Sequence, residues 1–397
     1  MQHSWGERLR MQHPQRHIPV LDGIRGLAII MVLIAHFTTI LENYLKEFFP
    51  VAGPVFTKVA LSGLMGVDLF FVLSGFLITG ILLDTKDTNE FFKNFYARRF
   101  LRIFPLYYGV LFILFCILPK IITFDTAANE MAGHQWWLWA YLTNFPGHPA
   151  WDNSALFKLG HFWSLAVEEH FYFVWPFVVY FVSNRLLKKI CIFWIPFSIM
   201  AGVLSRVTDW EIARFLGWST VSFSGGLMLG AYCALVAREE NGLESLVPYA
   251  QKMISVFGVS FFVIAMVPRY MHLDLAIHYV SWFFFFSIIV LTVSSSRDGR
   301  GFLAKFFNLR IMRLFGKVSY GLYVYHFVVL PLLEKYFQPE AWSNFIGSPV
   351  VVVAVFFIVT IGSTFLISWT SWQLYEKQFL KLKKFFEPQR RATVIAN

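Results

Sequence analysis

Long runs of apolar residues, separated by short polar connections, follow one another along almost the whole chain. Most runs have about 17–25 residues, the length that an α-helix needs to cross a bilayer core of roughly 30 Å. The runs lack the alternating pattern of membrane β-barrel strands. They predict an all-α integral membrane protein with about ten transmembrane helices in one bundle. The predicted spans lie near residues 21–41, 59–83, 104–122, 162–182, 190–205, 218–237, 251–267, 276–294, 316–337 and 349–373.

The composition agrees with this class. Of the 397 residues, 57% are hydrophobic and 15% are charged, which leaves too few charges to cover a soluble protein of this length. The net charge of +10 would also suit a nucleic-acid-binding protein. With a cytoplasmic N-terminus, however, most lysines and arginines fall in cytoplasmic connections, as the positive-inside rule expects. We therefore predict cytoplasmic termini and no nucleic-acid partner.

The polar ends of the chain flank one apolar domain. We predict a cytoplasmic N-terminal segment over residues 1–20, a transmembrane domain over 21–374 and a basic cytoplasmic tail over 375–397. The first apolar run begins after about twenty polar residues and is too long for the apolar part of a cleaved signal peptide. The three cysteines lie in apolar runs without metal-ligand spacing, so we expect them to pack in the protein and predict no bound metal.

The first span carries two polar residues that are unusual inside a membrane, Arg25 and His36. Eleven residues of helix return to nearly the same face, with a rise of roughly 16 Å. Titratable groups inside a membrane helix usually face the bundle interior or a wet cavity. The pair therefore indicates a channel with a cationic entrance and a proton acceptor further in. Alternatively, Arg25 only reaches the interface and His36 is a satisfied core histidine.

Further polar residues fall at matching depths in other spans. Counted at about 1.5 Å per residue, Asp68 and Glu168 lie roughly 9–10 Å below the outer face, close to the depth of His36. Ser164 shares a helix face with Glu168, and His326 lies about 15 Å deep in the ninth span. A carboxylate beside a histidine is a common arrangement for a general base. A buried structural His–carboxylate pair is the alternative.

Three arginines form a cationic cluster just before the third span: Arg98, Arg99 and Arg102. Residues three and four apart are neighbours on a helix, and guanidinium groups bind phosphate bidentately. The cluster therefore suits a polyanionic ligand. The positive-inside rule predicts the same residues, so the cluster alone does not distinguish the two explanations.

Five ordered motifs make the chain resemble the acyltransferase-3 family of membrane proteins. Arg25 and His36 match its arginine-x10-histidine motif. The others are Phe70-Phe71-Val72-Leu73-Ser74-Gly75-Phe76-Leu77, Arg98-Arg99-Phe100-Leu101-Arg102-Ile103-Phe104-Pro105, Trp163-Ser164-Leu165-Ala166-Val167-Glu168-Glu169-His170-Phe171-Tyr172 and Ser319-Tyr320-Gly321-Leu322-Tyr323-Val324-Tyr325-His326. The resemblance covers nearly the whole chain, although residues beyond about 180 match mainly in hydropathy apart from the ninth span.

The resemblance implies a membrane O-acyltransferase. It implies that an acetyl or short acyl group moves from cytoplasmic acetyl-CoA, or another acyl-CoA, to a hydroxyl of a carbohydrate. Surface polysaccharides, lipopolysaccharide and lipo-oligosaccharides are the expected acceptors, and the bacterial inner membrane is the expected location. Two alternatives remain: a transporter or exporter without acyl chemistry, and an acyltransferase for a small molecule such as a macrolide. The acceptor and the choice between direct transfer and an acyl-enzyme stay open.

The resemblance also implies roles for individual residues. His36 is the expected catalytic histidine, and Arg25 is its paired basic residue. We add Asp68 or Glu168 as the partner of His36. The resemblance implies that Arg99 and Arg102 help to hold the CoA phosphates, and we add Arg25 and Arg98 to the expected acyl-CoA-binding residues. We also expect a set of substrate-lining residues: Ser74, Trp163, Ser164, Tyr323 and His326.

Overall fold

The computed structural model describes residues 18–266, 274–296 and 301–388. Helices make up most of these residues, the longest connection between them covers residues 140–161, and no strand occurs in the described ranges. The fold therefore confirms the all-α class within the described ranges. Residues 1–17 of the predicted N-terminal segment and residues 389–397 of the predicted basic tail lie outside them.

The first half of the chain begins with the longest of its α-helices and ends with a helix of four residues. Pro19 stands in the first turn of that longest helix, where its missing N–H needs no partner. The α-helices are α1 Pro19–Phe48, α2 Ala52–Leu61, α3 Gly66–Thr85, α4 Phe91–Phe112, α5 Thr126–Gly133, α6 Trp136–Trp139, α7 Phe162–Phe181, α8 Asn184–Val207, α9 Glu211–Trp218 and α10 Thr220–Phe223.

The second half continues with helices of very different lengths. They are α11 Gly225–Val236, α12 Val247–Met266, α13 Asp274–Ser295, α14 Phe302–Phe307, α15 Arg310–Lys317, α16 Ser319–Val328, α17 Leu330–Tyr336, α18 Pro339–Ile346, α19 Pro349–Ser371 and α20 Lys377–Lys381. Short 3₁₀ turns extend the helical segments at Ser62–Met65, Leu118–Lys120, Gly242–Leu246 and Leu382–Phe386, and π turns do so at Ile113–Ile117 and Trp372–Glu376.

Six helical segments of the described chain are long and apolar enough to cross a membrane, which is consistent with a multi-pass membrane protein. They are Pro19–Phe48, Ala52–Thr85, Phe91–Lys120, Asn184–Val207, Ala276–Ser295 and Pro349–Phe386. The predicted count of about ten is not confirmed. Of the remaining predicted spans, α7 carries adjacent glutamates at 168 and 169, and α11 has only 12 residues. The span at 316–337 is divided between α16 and α17.

Glycines bring the first helix into very close contact with α15. A Cβ at Gly26 would lie 2.0 Å from the carbonyl oxygen of Met312, and a Cβ at Gly316 would lie 1.8 Å from that of Asp22. No other residue fits at these two positions without moving a backbone, because real Cβ atoms do not approach carbonyl oxygens so closely. The packing fixes the N-terminal half of α1, and therefore Arg25, against the second half of the chain.

Helix α3 is fixed in the same way, by α11. A Cβ at Gly75 would lie 1.9 Å from the carbonyl oxygen of Leu227, and one at Gly230 would lie 1.9 Å from that of Val72. Helix α3 also packs against α1, α7 and α13. It is buried along nearly its whole length and forms the centre of the bundle, with one side facing the cavity described below.

Candidate active site

A cavity lies between α1, α3, α4, α7 and α16, with an empty volume of about 740 Å³ including its mouth. The charged and hydroxyl-bearing side chains that line this cavity all belong to the five sequence motifs described above. The lining residues are Arg25, Val67, Phe70, Phe71, Ser74, Arg99, Arg102, Ile103, Ser164, Leu165, Glu168, Glu169, Tyr172, Ser319, Tyr320 and Tyr323.

One end of the cavity is cationic. Arg25, which forms an ion pair with Asp22 at 2.8 Å, lines it together with Arg99 and Arg102. The guanidinium carbon of Arg99 lies 4.2 Å from the centre of the Tyr172 ring, a cation–π contact that holds the side chain in the cavity wall. The structure thus brings three of the four predicted phosphate-binding arginines to one place.

Carboxylates face these arginines from α7. Glu168 accepts a hydrogen bond of 2.6 Å from the Ser74 hydroxyl, and Glu169 also lines the cavity. Arg99 acts electrostatically on both glutamates. The cavity wall therefore carries acidic side chains beside the arginines rather than a bare cationic surface, which lowers the cost of burying the guanidinium groups.

Hydroxyl groups line the other end. The Tyr323 and Ser164 oxygens lie 2.5 Å apart, and each is 3.1 Å from the carbonyl oxygen of His161. Beyond this pair, three imidazole rings come together: His36 of α1, His326 of α16 and His161, which directly precedes α7. The ring centre of His326 is 4.9 Å from that of His36 and 4.9 Å from that of His161. The hydroxyl pair therefore lies between the cavity and the histidines.

His36 and His326 are hydrogen-bonded in a way that defines their tautomers. Nδ1 of His326 lies 2.7 Å from the carbonyl oxygen of Tyr323, so it carries the proton, because a carbonyl can only accept. The Nε2 lone pair of neutral His326 then faces Nδ1 of His36 at 3.2 Å. Nδ1 of His36 also lies 3.1 Å from the carbonyl oxygen of Val32, so it is protonated. The Nε2 atom of neutral His36 consequently keeps its lone pair, as a proton acceptor or nucleophile requires.

The predicted carboxylate partner of His36 is not reproduced. Asp68 is 1% exposed and accepts hydrogen bonds from His278 at 2.8 Å, Ser281 at 2.8 Å and Trp282 at 2.9 Å. Glu168 lies at the arginine side of the cavity. Equal depth in the membrane does not bring two side chains together, because each can face any direction around its helix axis. Among the described residues, His326 takes the place that we predicted for a carboxylate.

Three further predicted residues lie away from the cavity lining. Trp163 precedes Ser164 by one residue, which turns it about 100° around α7. Its ring packs on Phe71 and Phe223, with ring centres 6.1 and 4.6 Å away. Arg98 precedes Arg99 by one residue and likewise does not line the cavity. His326, predicted to line it, lies behind Tyr323 instead.

Sequence reasoning missed two residues of the site, His161 and Glu169. Glu169 belongs to the motif Trp163–Tyr172, and His161 lies two residues before it, so the motif was the available signal. His161 directly precedes α7, and the sequence places it in the connection between the predicted spans 104–122 and 162–182. Within the described ranges, no group of three or more histidine, cysteine, aspartate or glutamate side chains is arranged to hold a metal ion.

Comparison with known proteins identifies relatives of this arrangement. The chain is 28% identical over 378 residues to the peptidoglycan O-acetyltransferase OatA of Listeria monocytogenes, which covers 89% of this chain and 56% of that protein. It is 25% identical over 354 residues to the O-acetyltransferase OatA of Staphylococcus aureus, with 83% and 53% covered. The chain thus spans about half the length of these relatives. No solved structure matches it.

The family model described as an acyltransferase domain matches residues 18–369, almost the whole described part of the chain. This match includes the helices that line the cavity and both hydrogen-bonded histidines. The chain therefore belongs to the acyltransferase-3 family.

Proposed function

We propose that the chain transfers an acetyl or short acyl group from cytoplasmic acyl-CoA to a hydroxyl of a carbohydrate acceptor. One observation carries this proposal: a single cavity has three arginines at one end, and the His36–His326 pair lies beyond the hydroxyl groups of its other end. Family membership supports the acyl chemistry, and the names of the relatives support O-acetylation. One relative is named a peptidoglycan O-acetyltransferase, which supports a cell-envelope glycan as the acceptor. The acceptor classes in this proposal are surface polysaccharide, lipopolysaccharide and lipo-oligosaccharide.

The donor enters from the arginine end in this proposal. Arg25, Arg99 and Arg102 hold the phosphates of acetyl-CoA or another acyl-CoA, because guanidinium groups bind phosphate oxygens bidentately. Ser74 and Glu168 keep the opposite wall polar. Arg98 adds positive charge next to this end without lining the cavity. The acyl chain extends towards Tyr323 and Ser164, whose hydroxyl groups bound the path to His36.

His36 takes part in the chemistry through its unprotonated Nε2 atom. In direct transfer, Nε2 accepts the proton of the acceptor hydroxyl while that oxygen attacks the thioester carbonyl carbon. The carbon–sulfur bond then breaks, and the CoA thiolate takes up the proton. In a two-step route, Nε2 itself attacks the carbonyl carbon and expels the CoA thiolate. The acceptor oxygen then attacks the acyl carbon, the bond between this carbon and Nε2 breaks, and the hydroxyl proton passes to the thiolate or to water. Both routes need the same Nε2 lone pair.

The proposed topology has ten spans and cytoplasmic termini in a bacterial inner membrane. The six long apolar helices supply six spans. The helical segments at α7, α10–α11, α12 and α16–α17 supply the other four. The domain boundaries near 1–20, 21–374 and 375–397 stay part of this proposal.

The topology is tested by cysteine labelling. In a protein without native cysteines, Glu130→Cys and Lys189→Cys should react oppositely with an impermeant maleimide on intact cells. Glu130→Cys should be labelled and Lys189→Cys protected; equal labelling would contradict the topology.

The reaction is tested by its stoichiometry. The purified protein in lipid nanodiscs is mixed with acetyl-CoA labelled in the acetyl group and with envelope polysaccharide, and empty nanodiscs serve as the control. Free CoA thiol and alkali-labile polysaccharide ester should appear together in a ratio near one. Movement of a solute without thiol release would contradict acyl transfer and identify a transporter. Release of thiol without ester on any polysaccharide would contradict the carbohydrate acceptor.

A further inference from the structure

The segment that follows α19 packs on the helix that carries most of the arginines of the site. Both α20 and the 3₁₀ turn Leu382–Phe386 contact α4, the helix that supplies Arg99 and Arg102 to the cavity. The hydroxyl group of Tyr375 donates a hydrogen bond of 3.1 Å to the carbonyl oxygen of Pro105, three residues after Arg102. These contacts bring basic residues of the C-terminal segment to the cationic end of the cavity.

One of these basic residues, Lys383, lies among the arginines. Four guanidinium groups act on its side chain electrostatically, and they belong to Arg102, Arg99, Arg98 and Arg25. Three of the four line the cavity, so the lysine lies beside its cationic end. Within the described ranges, no carboxylate acts on the lysine as strongly as these arginines. The result is a cluster of five basic side chains from α1, α4 and the C-terminal turn.

Lys383 also differs from its neighbours in its contacts. The other lysines between residues 372 and 388 have local partners: Lys377 lies over Trp372, Lys381 donates to Gln378, and Lys384 lies over Phe385. Lys383 makes no hydrogen bond or ion pair with the part of the chain that the structure describes. Its side chain is only partly buried, so a ligand that extends out of the cavity can reach it. Groups of one sign repel each other at short range, and a bound polyanion offsets that repulsion.

The chemistry of the proposed donor fits this arrangement. CoA carries a diphosphate next to its pantetheine arm and a third phosphate further away, on the 3′ oxygen of the ribose. In the proposed function, the thioester points towards the hydroxyl groups, and the arginines of the cavity lining hold the diphosphate. The 3′-phosphate then lies farther from the thioester than the diphosphate does. Arg98 and Lys383 are the basic residues that lie beside the cationic end without lining the cavity.

We infer that Lys383 binds the 3′-phosphate of the donor, so that the C-terminal turn selects CoA thioesters over thioesters without this phosphate. An ammonium group suits this role because it is a compact charge with three donors on a flexible stem, and it needs no fixed orientation. Lys383 is then a specificity-determining residue for the donor. This inference rests on the proposed use of acyl-CoA.

Binding of two nucleotides to the full-length protein in nanodiscs tests the inference without any acyl transfer. The probes are CoA and 3′-dephospho-CoA, which differ only in the 3′-phosphate, and isothermal titration calorimetry gives both dissociation constants. Lys383→Met removes the ammonium group and keeps an unbranched side chain, whereas Lys383→Arg keeps the charge. Lys384→Met is the matched control, because Lys384 is the next residue of the same turn and is exposed.

The wild type should bind CoA about 10-fold or more tightly than 3′-dephospho-CoA, the factor that one hydrogen bond to a charged group provides. Lys383→Met should lose most of this preference by weaker binding of CoA, with 3′-dephospho-CoA bound within about twofold of the wild type. Lys384→Met and Lys383→Arg should keep the preference.

Two results would overturn the inference. Equal affinity of the wild type for both nucleotides would do so without the use of a variant, so a failure of Lys383→Met to fold does not affect this comparison. A folded Lys383→Met protein that keeps the full preference would do so as well. Absence of binding of either nucleotide to the wild type would instead overturn the proposed function.

Discussion

Nδ1 of His36 lies 3.2 Å from Nε2 of His326, although 290 positions separate the two residues in the chain. The carbonyl oxygen of Tyr323 orients the ring of His326 by accepting a hydrogen bond from its Nδ1 atom. The Nε2 atom of His326 in turn orients the ring of His36. The arrangement serves the purpose that a carboxylate serves beside many catalytic histidines: it fixes which ring nitrogen carries the proton. A neutral partner does this without placing a negative charge in the membrane interior, where a charge is costly.

Replacing His326 should therefore slow catalysis without changing donor binding. We expect His326→Phe to lower kcat by about 10–100-fold, because a hydrogen bond of about 1.5–3 kcal/mol to the charged imidazolium is lost in the transition state. The KM for acetyl-CoA should stay within about twofold. His326→Gln is the control, since its side-chain oxygen can accept from Nδ1 of His36, and it should retain more activity. A wild-type kcat in folded His326→Phe would exclude an orienting role.

Asp68 should matter for folding and not for chemistry. Three donors converge on its carboxylate, and Asp68→Asn would turn an N–H₂ group towards at least one of them. We expect a loss of about 1–3 kcal/mol in stability, seen as a lower melting temperature in detergent, with turnover per folded molecule preserved. Glu168→Gln should lower turnover, because Glu168 lines the cavity. It should leave the melting temperature unchanged, because the glutamine side-chain oxygen still accepts the hydrogen bond from Ser74. Equal effects of both variants on turnover would contradict this division.

Arg99 should contribute to donor affinity. Arg99→Ala removes a guanidinium group that lines the cavity and lies over Tyr172, so the KM for acetyl-CoA should rise about 10–100-fold. The kcat at saturating donor should change little. Arg185→Ala provides the matched control, since Arg185 is exposed on a connection that we propose to be cytoplasmic. A similar rise in both variants would indicate a general effect of positive charge at the membrane surface.

Close helix packing at Gly26 should be required for the fold. Gly26→Val would force a branched side chain against the carbonyl oxygen of Met312, whereas Gly362→Val would place the same side chain where no atom lies within 4 Å of the new Cβ. We expect Gly26→Val to abolish the monodisperse peak in size-exclusion chromatography and Gly362→Val to leave it intact. Equal yields of folded protein would contradict the close contact between α1 and α15.

The sequence predicted well those features that depend on position along a helix. The spacing of Arg25 and His36 predicted a polar face on one span, and Ser164 with Glu168 predicted another. All three of Arg25, Ser164 and Glu168 line the cavity. The 3.6-residue period of the α-helix is sufficient for such predictions, because it determines which residues of a single helix share a face.

Predictions that depend on the relative rotation of two helices were less successful. Asp68 lies at the predicted depth of His36, but its side chain faces α13. His326 contacts His36 from α16, a helix without acidic or basic side chains other than histidine, so the sequence did not predict it as the partner of His36. His161 was missed because it precedes α7 and meets the other histidines only with the neighbouring helices in place. Close glycine contacts such as that of Gly316 with Asp22 set these rotations, and they are not encoded by hydropathy.

The central claim is that His36 performs acyl transfer. It is tested by purified His36→Ala, with its fold confirmed by melting temperature and chromatography, in nanodiscs with acetyl-CoA and envelope polysaccharide. Loss of a general base or nucleophile predicts a decrease in ester formation of about 100–10,000-fold, with acetyl-CoA still bound. Ester formation at the wild-type rate by folded His36→Ala would contradict the account.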